Sequence, residues 1–266
     1  MSRIPNYSSL GSGPVVLFLH GIGGGHLAFA PQLETFAAAG YRAVAWDMPG
    51  YGHSDPIEPY TFKGLAEKCI ALIDALAARN GHQVSLVGHS MGGMVAQEVV
   101  ARRPDLVQHL ILCGTSAAFG RSEGDWQKEF VQQRMAPLVQ GQTMADLARQ
   151  LVPAMAGPRA LPEGLRLAEH CMSGVSPGTY RRALEALVTF DRRSALAQIS
   201  VPTLLVAGTD DPNAPPEVMR KMSERILHSQ LKVMDGIGHL MNLESPDDFD
   251  QILMAFISEN TDRVRH

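Results

Sequence analysis

Short, largely apolar runs of strand length recur along the chain, and apolar residues between them follow a helical spacing. The runs cover residues 15–19, 42–46, 84–87, 110–113, 201–207 and 230–234. Apolar runs of this length are typical of strands that are buried on both faces of a parallel sheet. Residues 4–10 predict one more short strand near the start of the chain.

The segments between these runs predict helices on both faces of the sheet. Helical spacing or capping residues indicate helices over residues 28–39, 61–79, 94–100, 215–226 and 245–258, with a polar, frayed tail after the last one. Thr61 is a typical N-cap residue, and Pro246 suits the first turn of the final helix. This alternation predicts an α/β fold with a mostly parallel central sheet.

The alternation stops between residues 116 and 194. Proline and glycine separate helix-like segments there, at residues 125–138, 144–151, 162–171 and 179–187. We therefore predict a core of residues 1–115 and 195–266, with residues 116–194 as an inserted helical unit. Its apolar residues either pack the insertion onto the sheet or line a pocket. The sequence does not decide between these roles, so no substrate-binding residue is assigned among Trp126, Phe130, Met135, Met155, Met172 and Phe190.

Composition and charge narrow the classes of partner. A chain of 266 residues is long enough for one large domain with an insertion. A net charge of −4 without a Lys/Arg cluster argues against nucleic acid and anionic membranes. We expect neither a signal peptide nor a membrane span, and hence a cytoplasmic protein.

Three widely spaced cysteines argue against a disulfide framework or a zinc site, so we expect no metal and no cofactor. Whether the chain forms a homo-oligomer stays open.

One stretch carries a candidate nucleophile. The pattern Gly88-His89-Ser90-Met91-Gly92 lies between a predicted strand and a predicted helix. A G-x-S-x-G pattern in this context is typical of a nucleophile elbow, a strained turn that lifts the serine hydroxyl clear of the sheet. The alternative is an ordinary glycine-rich turn. The strand and helix on either side favour the elbow.

A serine nucleophile needs a general base, and the loops after the strands are the places to look for it. His239 follows the last predicted strand in a Gly-Ile-Gly-His loop. His20 follows the first buried strand and His89 precedes Ser90. The glycines after His20 suggest a backbone role for that loop, and neighbouring residues in a tight turn point to different sides. We therefore favour His239 as the base.

The base in turn needs an orienting carboxylate. Asp210 and Asp211 both follow the penultimate strand, and the residues alone do not choose between them. Asp47 follows an earlier strand. We expect Asp47 to stabilise its own glycine-rich turn by accepting backbone hydrogen bonds.

Acyl transfer also needs hydrogen-bond donors for a developing oxyanion. The N–H of Met91, directly after the nucleophile, is one candidate. The loop of residues 20–24 supplies the second, because its glycines let the main chain approach a substrate closely. This loop is a weak candidate for phosphate binding, since it carries neither G-x-G-x-x-G nor G-K-[S/T].

Five motifs occur in a fixed order along the chain: His20-Gly21, Asp47-Met48-Pro49-Gly50-Tyr51-Gly52-His53-Ser54, Gly88-His89-Ser90-Met91-Gly92-Gly93, Gly208-Thr209-Asp210-Asp211 and Gly238-His239. On these motifs the chain resembles the α/β-hydrolase superfamily over nearly its whole length. Within it, the sequence around Asp211 and after His239 is similar to 3-oxoadipate enol-lactonases and related small bacterial esterases.

The resemblance implies specific roles. It implies a catalytic Ser90, His239 and Asp211, in the order Ser…Asp…His that this superfamily uses. It assigns the oxyanion donors to the N–H groups of Ile22 and Met91.

It also implies an α/β-hydrolase fold in which residues 116–194 form the helical cap. Serine at the elbow, where dehalogenases and epoxide hydrolases of this fold carry aspartate, implies an acyl-enzyme.

Three hypotheses follow. The first is a serine hydrolase that cleaves a small-molecule carboxylic ester or lactone. The second keeps the same residues but hydrolyses a C–C bond in a diketone-like substrate, or acts as a cofactor-free haloperoxidase or perhydrolase. The third is a hydrolase-fold ligand receptor without useful turnover. The natural substrate is not named by the sequence.

Overall fold

The computed structural model describes residues 4–77, 83–120 and 125–263. The strands in these ranges are β1 (Tyr7–Leu10), β2 (Val15–Leu19), β3 (Arg42–Trp46), β4 (Val84–His89), β5 (Val107–Cys113), β6 (Thr203–Gly208) and β7 (Ser229–Met234). These described strands form one seven-stranded sheet in the order β1-β3-β2-β4-β5-β6-β7. β1 pairs antiparallel with β3, and every other pair in this sheet is parallel. The predicted mostly parallel sheet is confirmed.

Helices connect and cover the strands. They are α1 (Ala30–Ala38), α2 (Phe62–Ala77), α3 (Met91–Arg102), α4 (Trp126–Val139), α5 (Met144–Met155), α6 (Pro162–Ser173), α7 (Pro177–Leu187), α8 (Pro216–Ser223), α9 (Met241–Glu244) and α10 (Pro246–Arg263). The Thr61 hydroxyl accepts a hydrogen bond from the N–H of Gly64, as expected of an N-cap. Across the described ranges, no helix combines the length and the apolar character needed to cross a bilayer.

The two faces of the sheet carry separate hydrophobic clusters. Successive side chains of a strand point to opposite faces. In β2, Leu17 accordingly belongs to the cluster under α2 and α3, whereas Phe18 belongs to the cluster under α1 and α10. Both side chains are fully buried. Burial on both faces explains why the predicted strands read as continuous apolar runs.

Several predicted boundaries change. The first helix begins at Ala30, after a 3₁₀ turn over His26–Phe29, and the helix predicted over residues 215–226 is shorter, at Pro216–Ser223. The predicted end of α2 at residue 79 lies outside the described residues. The prediction of a frayed tail after residue 258 was wrong, because α10 continues to Arg263. The side chain of Asn260 is buried and donates to the carbonyl of Phe256, which holds this part of the chain in the helix.

In the described part of the stretch between β5 and β6, where the helical insertion is predicted, there are four α-helices, α4 to α7. An isolated antiparallel bridge between Ala118 and Asp191 brings the two ends of this segment together. Arg192, at the exit, forms an ion pair with the buried Glu98 of α3. The two ends of the insertion therefore lie next to each other. The division into a core of residues 1–115 and 195–266 and a cap of residues 116–194 stays a prediction.

Candidate active site

Ser90 lies in the sharp turn between β4 and α3. Its φ of 54° and ψ of −120° are a backbone conformation that residues other than glycine rarely adopt. The turn is fixed to the neighbouring strand, because Ser90 N–H donates to the carbonyl of Cys113 at 2.9 Å.

The glycines beside the turn permit close packing. A Cβ on Gly92 would lie 2.1 Å from the carbonyl oxygen of Leu19, and one on Gly88 would lie 2.5 Å from the Cα of Gly93. The absence of side chains at both positions therefore lets α3 run directly against the strands.

The structure brings the predicted serine, histidine and aspartate together. His239 follows β7, and its Nε2 lies 3.0 Å from the Oγ of Ser90. Its Nδ1 lies 3.0 and 2.9 Å from the two carboxylate oxygens of Asp211, which follows β6. Histidine and aspartate are both buried. The three side chains thus form a continuous hydrogen-bonded series across the carboxyl ends of three strands.

Asp211 is held in its ionised form. Burial alone raises the pKa of its carboxyl group, but hydrogen bonds from His239 and from the N–H groups of Ala214 and Asn213 bring that pKa below its ordinary value. The neighbouring Asp210 is exposed, and its carboxylate accepts from the hydroxyl of Thr209. Of the two aspartates considered, only Asp211 contacts the histidine.

The loop of residues 20–24 lies against the nucleophile. A Cβ on Gly21 would be 2.9 Å from the Cβ of Ser90. Among the described residues, no hydrogen bond occupies the N–H of Ile22 or the N–H of Met91. The hydroxyl of Tyr51 donates to the carbonyl of Ile22 at 2.9 Å and so fixes this loop. The role of Ile22 and Met91 as oxyanion donors stays a prediction.

The other two histidines near the turn hold the structure together. His20 donates from Nδ1 to the carbonyl of Gly21 and accepts from the N–H of Met48 at Nε2. His89 donates from Nε2 to the carbonyl of His239. Burial lowers the pKa of His20 to about 4 and that of His89 to about 3, so both stay neutral at pH 7. Because both ring nitrogens of His20 are occupied, it does not compete as a base.

The prediction that Asp47 accepts hydrogen bonds from the backbone of its own turn was wrong. Its carboxylate accepts from the backbone N–H and from the Nδ1 of His26, both at 2.9 Å, and from the side-chain amide of Asn6. Asp47 therefore joins its loop to the loop after β2. The reason is spatial: β2 and β3 are neighbouring parallel strands, so the loops that follow them meet.

No role was assigned from the sequence to one buried residue at the site, Glu244. The Glu244 carboxylate accepts hydrogen bonds from the N–H groups of Gly238 and Leu240, the two neighbours of His239. It also accepts from the N–H of Gly157 in the insertion. Burial raises the pKa of this carboxyl group, although the three N–H donors oppose the rise. A glycine-rich loop whose N–H groups need an acceptor is the cue that points to such a residue.

A cavity of about 300 Å³, the large cavity, reaches Ser90 and His239. Apolar side chains of the insertion form much of its wall: Phe130, Leu151, Met155, Met172, Leu184 and Leu187. A second cavity of about 70 Å³ reaches the same two residues and is lined in part by Cys171 and Leu243.

Five of the six apolar residues named in the sequence analysis therefore divide between both roles. Phe130, Met155 and Met172 line the large cavity, whereas Met135 and Phe190 are buried in the core. Trp126 stacks on the ring of Phe130, with the ring centroids 5.2 Å apart. In the described part of the chain, no group of three or more His, Cys, Asp or Glu side chains is arranged to hold a metal ion.

Residues 14–246 match the family model described as the alpha/beta hydrolase fold. The chain belongs to this α/β-hydrolase family. The predicted fold is thereby confirmed, as is the prediction of a hydrolytic enzyme.

Individual members of the family are similar over nearly their whole length. A 3-oxoadipate enol-lactonase of Acinetobacter baylyi is 28% identical over 256 residues, covering 94% of this chain and 91% of the relative. The (E)-2-((N-methylformamido)methylene)succinate hydrolase of the same organism is 29% identical over 266 residues, covering 96% and 95%. A thermophilic esterase from Thermogutta terrifontis superposes with a TM-score of 0.85 at 26% identity, covering 96% and 93%. The predicted likeness of this α/β-hydrolase to enol-lactonases and esterases is confirmed.

Proposed function

We propose that this α/β-hydrolase cleaves a small-molecule carboxylic ester or lactone through an acyl-enzyme on Ser90. The observation that carries the proposal is the series from the Ser90 Oγ through the His239 imidazole to the Asp211 carboxylate, with contacts of 3.0 and 2.9 Å. A relative named as an enol-lactonase, which covers nearly the whole chain, supports this choice of bond.

In the acylation step, the Oγ of Ser90 attacks the carbonyl carbon while the Nε2 of His239 takes the hydroxyl proton. Asp211 keeps the other ring nitrogen protonated and stabilises the imidazolium that forms. The carbonyl oxygen becomes an oxyanion, which accepts from the N–H groups of Ile22 and Met91. When the tetrahedral intermediate collapses, the C–O bond of the ester breaks and the leaving alcohol takes the proton from His239.

In the deacylation step, water repeats the attack on the acyl-enzyme. His239 takes a proton from the water as its oxygen bonds to the acyl carbon. The bond to the Oγ of Ser90 then breaks, and the serine recovers its proton from the imidazolium. The products are a carboxylic acid and free enzyme. Each step uses only the protein, the substrate and water.

We also propose that residues 116–194 act as the cap of this site, over a core made of residues 1–115 and 195–266. The insertion contributes much of the apolar wall of the large cavity. An apolar wall over Ser90 excludes bulk water and orients the non-reacting part of a substrate.

The test is the hydrolysis of short p-nitrophenyl esters by the wild type and by Ser90→Ala. We expect the substitution to lower kcat by about 10⁴-fold or more, because the nucleophile is lost. Far-ultraviolet circular dichroism should show that the fold is retained. The matched control is Ser194→Ala, at an exposed serine, which should keep full activity. Full turnover by Ser90→Ala would overturn the proposal.

A further inference from the structure

The large cavity contains one unusual side chain. Arg134 of α4 is half-buried and lines this cavity together with apolar residues. Among the described residues that line the cavity, it alone carries a permanent charge. A guanidinium group in an apolar wall loses hydration, and an oppositely charged partner that accepts its hydrogen bonds offsets this loss.

That partner is missing from the described residues. No carboxylate in residues 4–77, 83–120 or 125–263 lies within 4.0 Å of the Arg134 guanidinium. Several other arginines of the same segment are paired, among them Arg149 with Asp146, Arg166 with Glu163, and Arg192 with Glu98. Arg159, Arg181 and Arg182 likewise have no carboxylate partner among the described residues, but none of them lines the large cavity.

The guanidinium lies over an aromatic ring of the same wall. Its central carbon lies 5.3 Å from the ring centroid of Phe130, which also lines the cavity. Stacking on an aromatic face uses the flat side of the guanidinium and leaves its N–H edge free. An N–H edge of this kind matches the two oxygens of a carboxylate.

A second polar group lies in the same wall. Tyr180 of α7 lines the large cavity and is buried. Burial raises the pKa of its phenol, so the hydroxyl stays protonated at neutral pH in a wall that also contains Arg134. A phenol that stays protonated is a hydrogen-bond donor for an anion.

We propose that Arg134, assisted by Tyr180, binds a carboxylate of the substrate, so that the preferred substrates are esters or lactones that also carry a free carboxylate. This inference rests on the proposed ester hydrolysis at Ser90 and adds its specificity. Arg134 is then the residue that determines which esters are selected, and the apolar wall around it accommodates the carbon chain between the two groups.

The test compares matched pairs of substrates. Mono-p-nitrophenyl esters of straight-chain dicarboxylic acids are compared with p-nitrophenyl esters of fatty acids of equal length. A second series places the carboxylate on the alcohol side. For each pair, the readout is the ratio of kcat/KM for the anionic ester to that for the neutral ester. We expect this ratio to exceed one for the wild type in at least one series, and to fall at least tenfold in Arg134→Met.

Two further variants sharpen the readout. Arg134→Lys keeps the charge and should recover part of the ratio. Lys128→Met removes a positive charge from the exposed side of the same helix, where the lysine side chain is 81% exposed, and should leave the ratio unchanged. A wild-type ratio at or below one in both series, or an equal fall in Lys128→Met, would overturn the inference.

Calorimetry separates this inference from the proposed function. In Ser90→Ala protein, which cannot form the acyl-enzyme, the anionic ester should bind at least tenfold more tightly than its neutral partner, and Arg134→Met should abolish the difference. If the wild type hydrolyses esters but shows no preference for anionic esters in kinetics or binding, the role of Arg134 is contradicted and the proposed function stands. If the protein binds anionic esters selectively but the wild type does not hydrolyse them, the proposed function is contradicted.

Discussion

At the scale of single residues, Glu244 supports the three side chains of the proposed mechanism. It lines neither of the two cavities at Ser90, but its two oxygens accept from the N–H groups on both sides of His239 and from Gly157. A buried N–H that loses its acceptor costs about 1–3 kcal/mol. Glu244 is therefore a positioning residue for the imidazole.

Glu244→Gln tests this role. An amide offers one acceptor oxygen where the carboxylate offers two, so at least one of the three N–H donors loses its partner. We expect kcat to fall by about tenfold or more with a smaller change in KM, because His239 is less well oriented. Glu217→Gln, at an exposed residue of α8, is the matched control. Equal kcat values for Glu244→Gln and wild type would contradict the role.

At the scale of elements, apolar runs predicted the bounds of strands reliably, whereas short or polar segments did not predict the bounds of helices. The bounds predicted for β2 and β3 match the structure because nearly all of their residues are buried. The four-residue helix α9 is too short to show a helical period. The last turns of α10 were mistaken for a frayed tail because their composition is polar, and the burial of Asn260 depends on tertiary packing.

The same distinction holds for the candidate site. Ser90 and His239 could be found because the loops after parallel strands meet at one edge of a sheet. The same rule leaves Asp210 and Asp211 as alternatives, and only the family resemblance selects Asp211. Arg134 and Tyr180 could not be found, since they belong to the insertion, and the face that each of its helices turns toward the sheet is decided by packing between helices.

At the scale of the whole molecule, buried histidines link stability to pH. Burial lowers the pKa of His20 and of His109 to about 4 and that of His89 to about 3, whereas each titrates near 6.5 when exposed. As the pH falls below about 6.5, the unfolded chain binds protons that the folded chain does not, so folding stability decreases. Asp250 opposes this trend, because burial raises the pKa of its carboxyl group to about 6. On acidification, the folded chain therefore protonates this carboxylate at a higher pH than the unfolded chain does.

Three histidines against two carboxyl groups, Asp250 and Glu244, predict a net loss of stability between about pH 6 and pH 4.5, with a slope of roughly 1–2 kcal/mol per pH unit. Urea denaturation across this range measures it. Asp250→Asn removes one opposing group and should make the loss steeper. Stability that is independent of pH, or that rises on acidification, would show that the buried histidines are charged in the folded protein.

The most direct measurement of the central claim is covalent labelling with a fluorophosphonate, followed by intact-protein and peptide mass spectrometry. An activated serine displaces the fluoride and keeps the phosphonyl group on its oxygen. We predict one adduct per chain, located on Ser90, and no adduct in Ser90→Ala. An unlabelled wild type, or a label that persists in Ser90→Ala, would contradict the account.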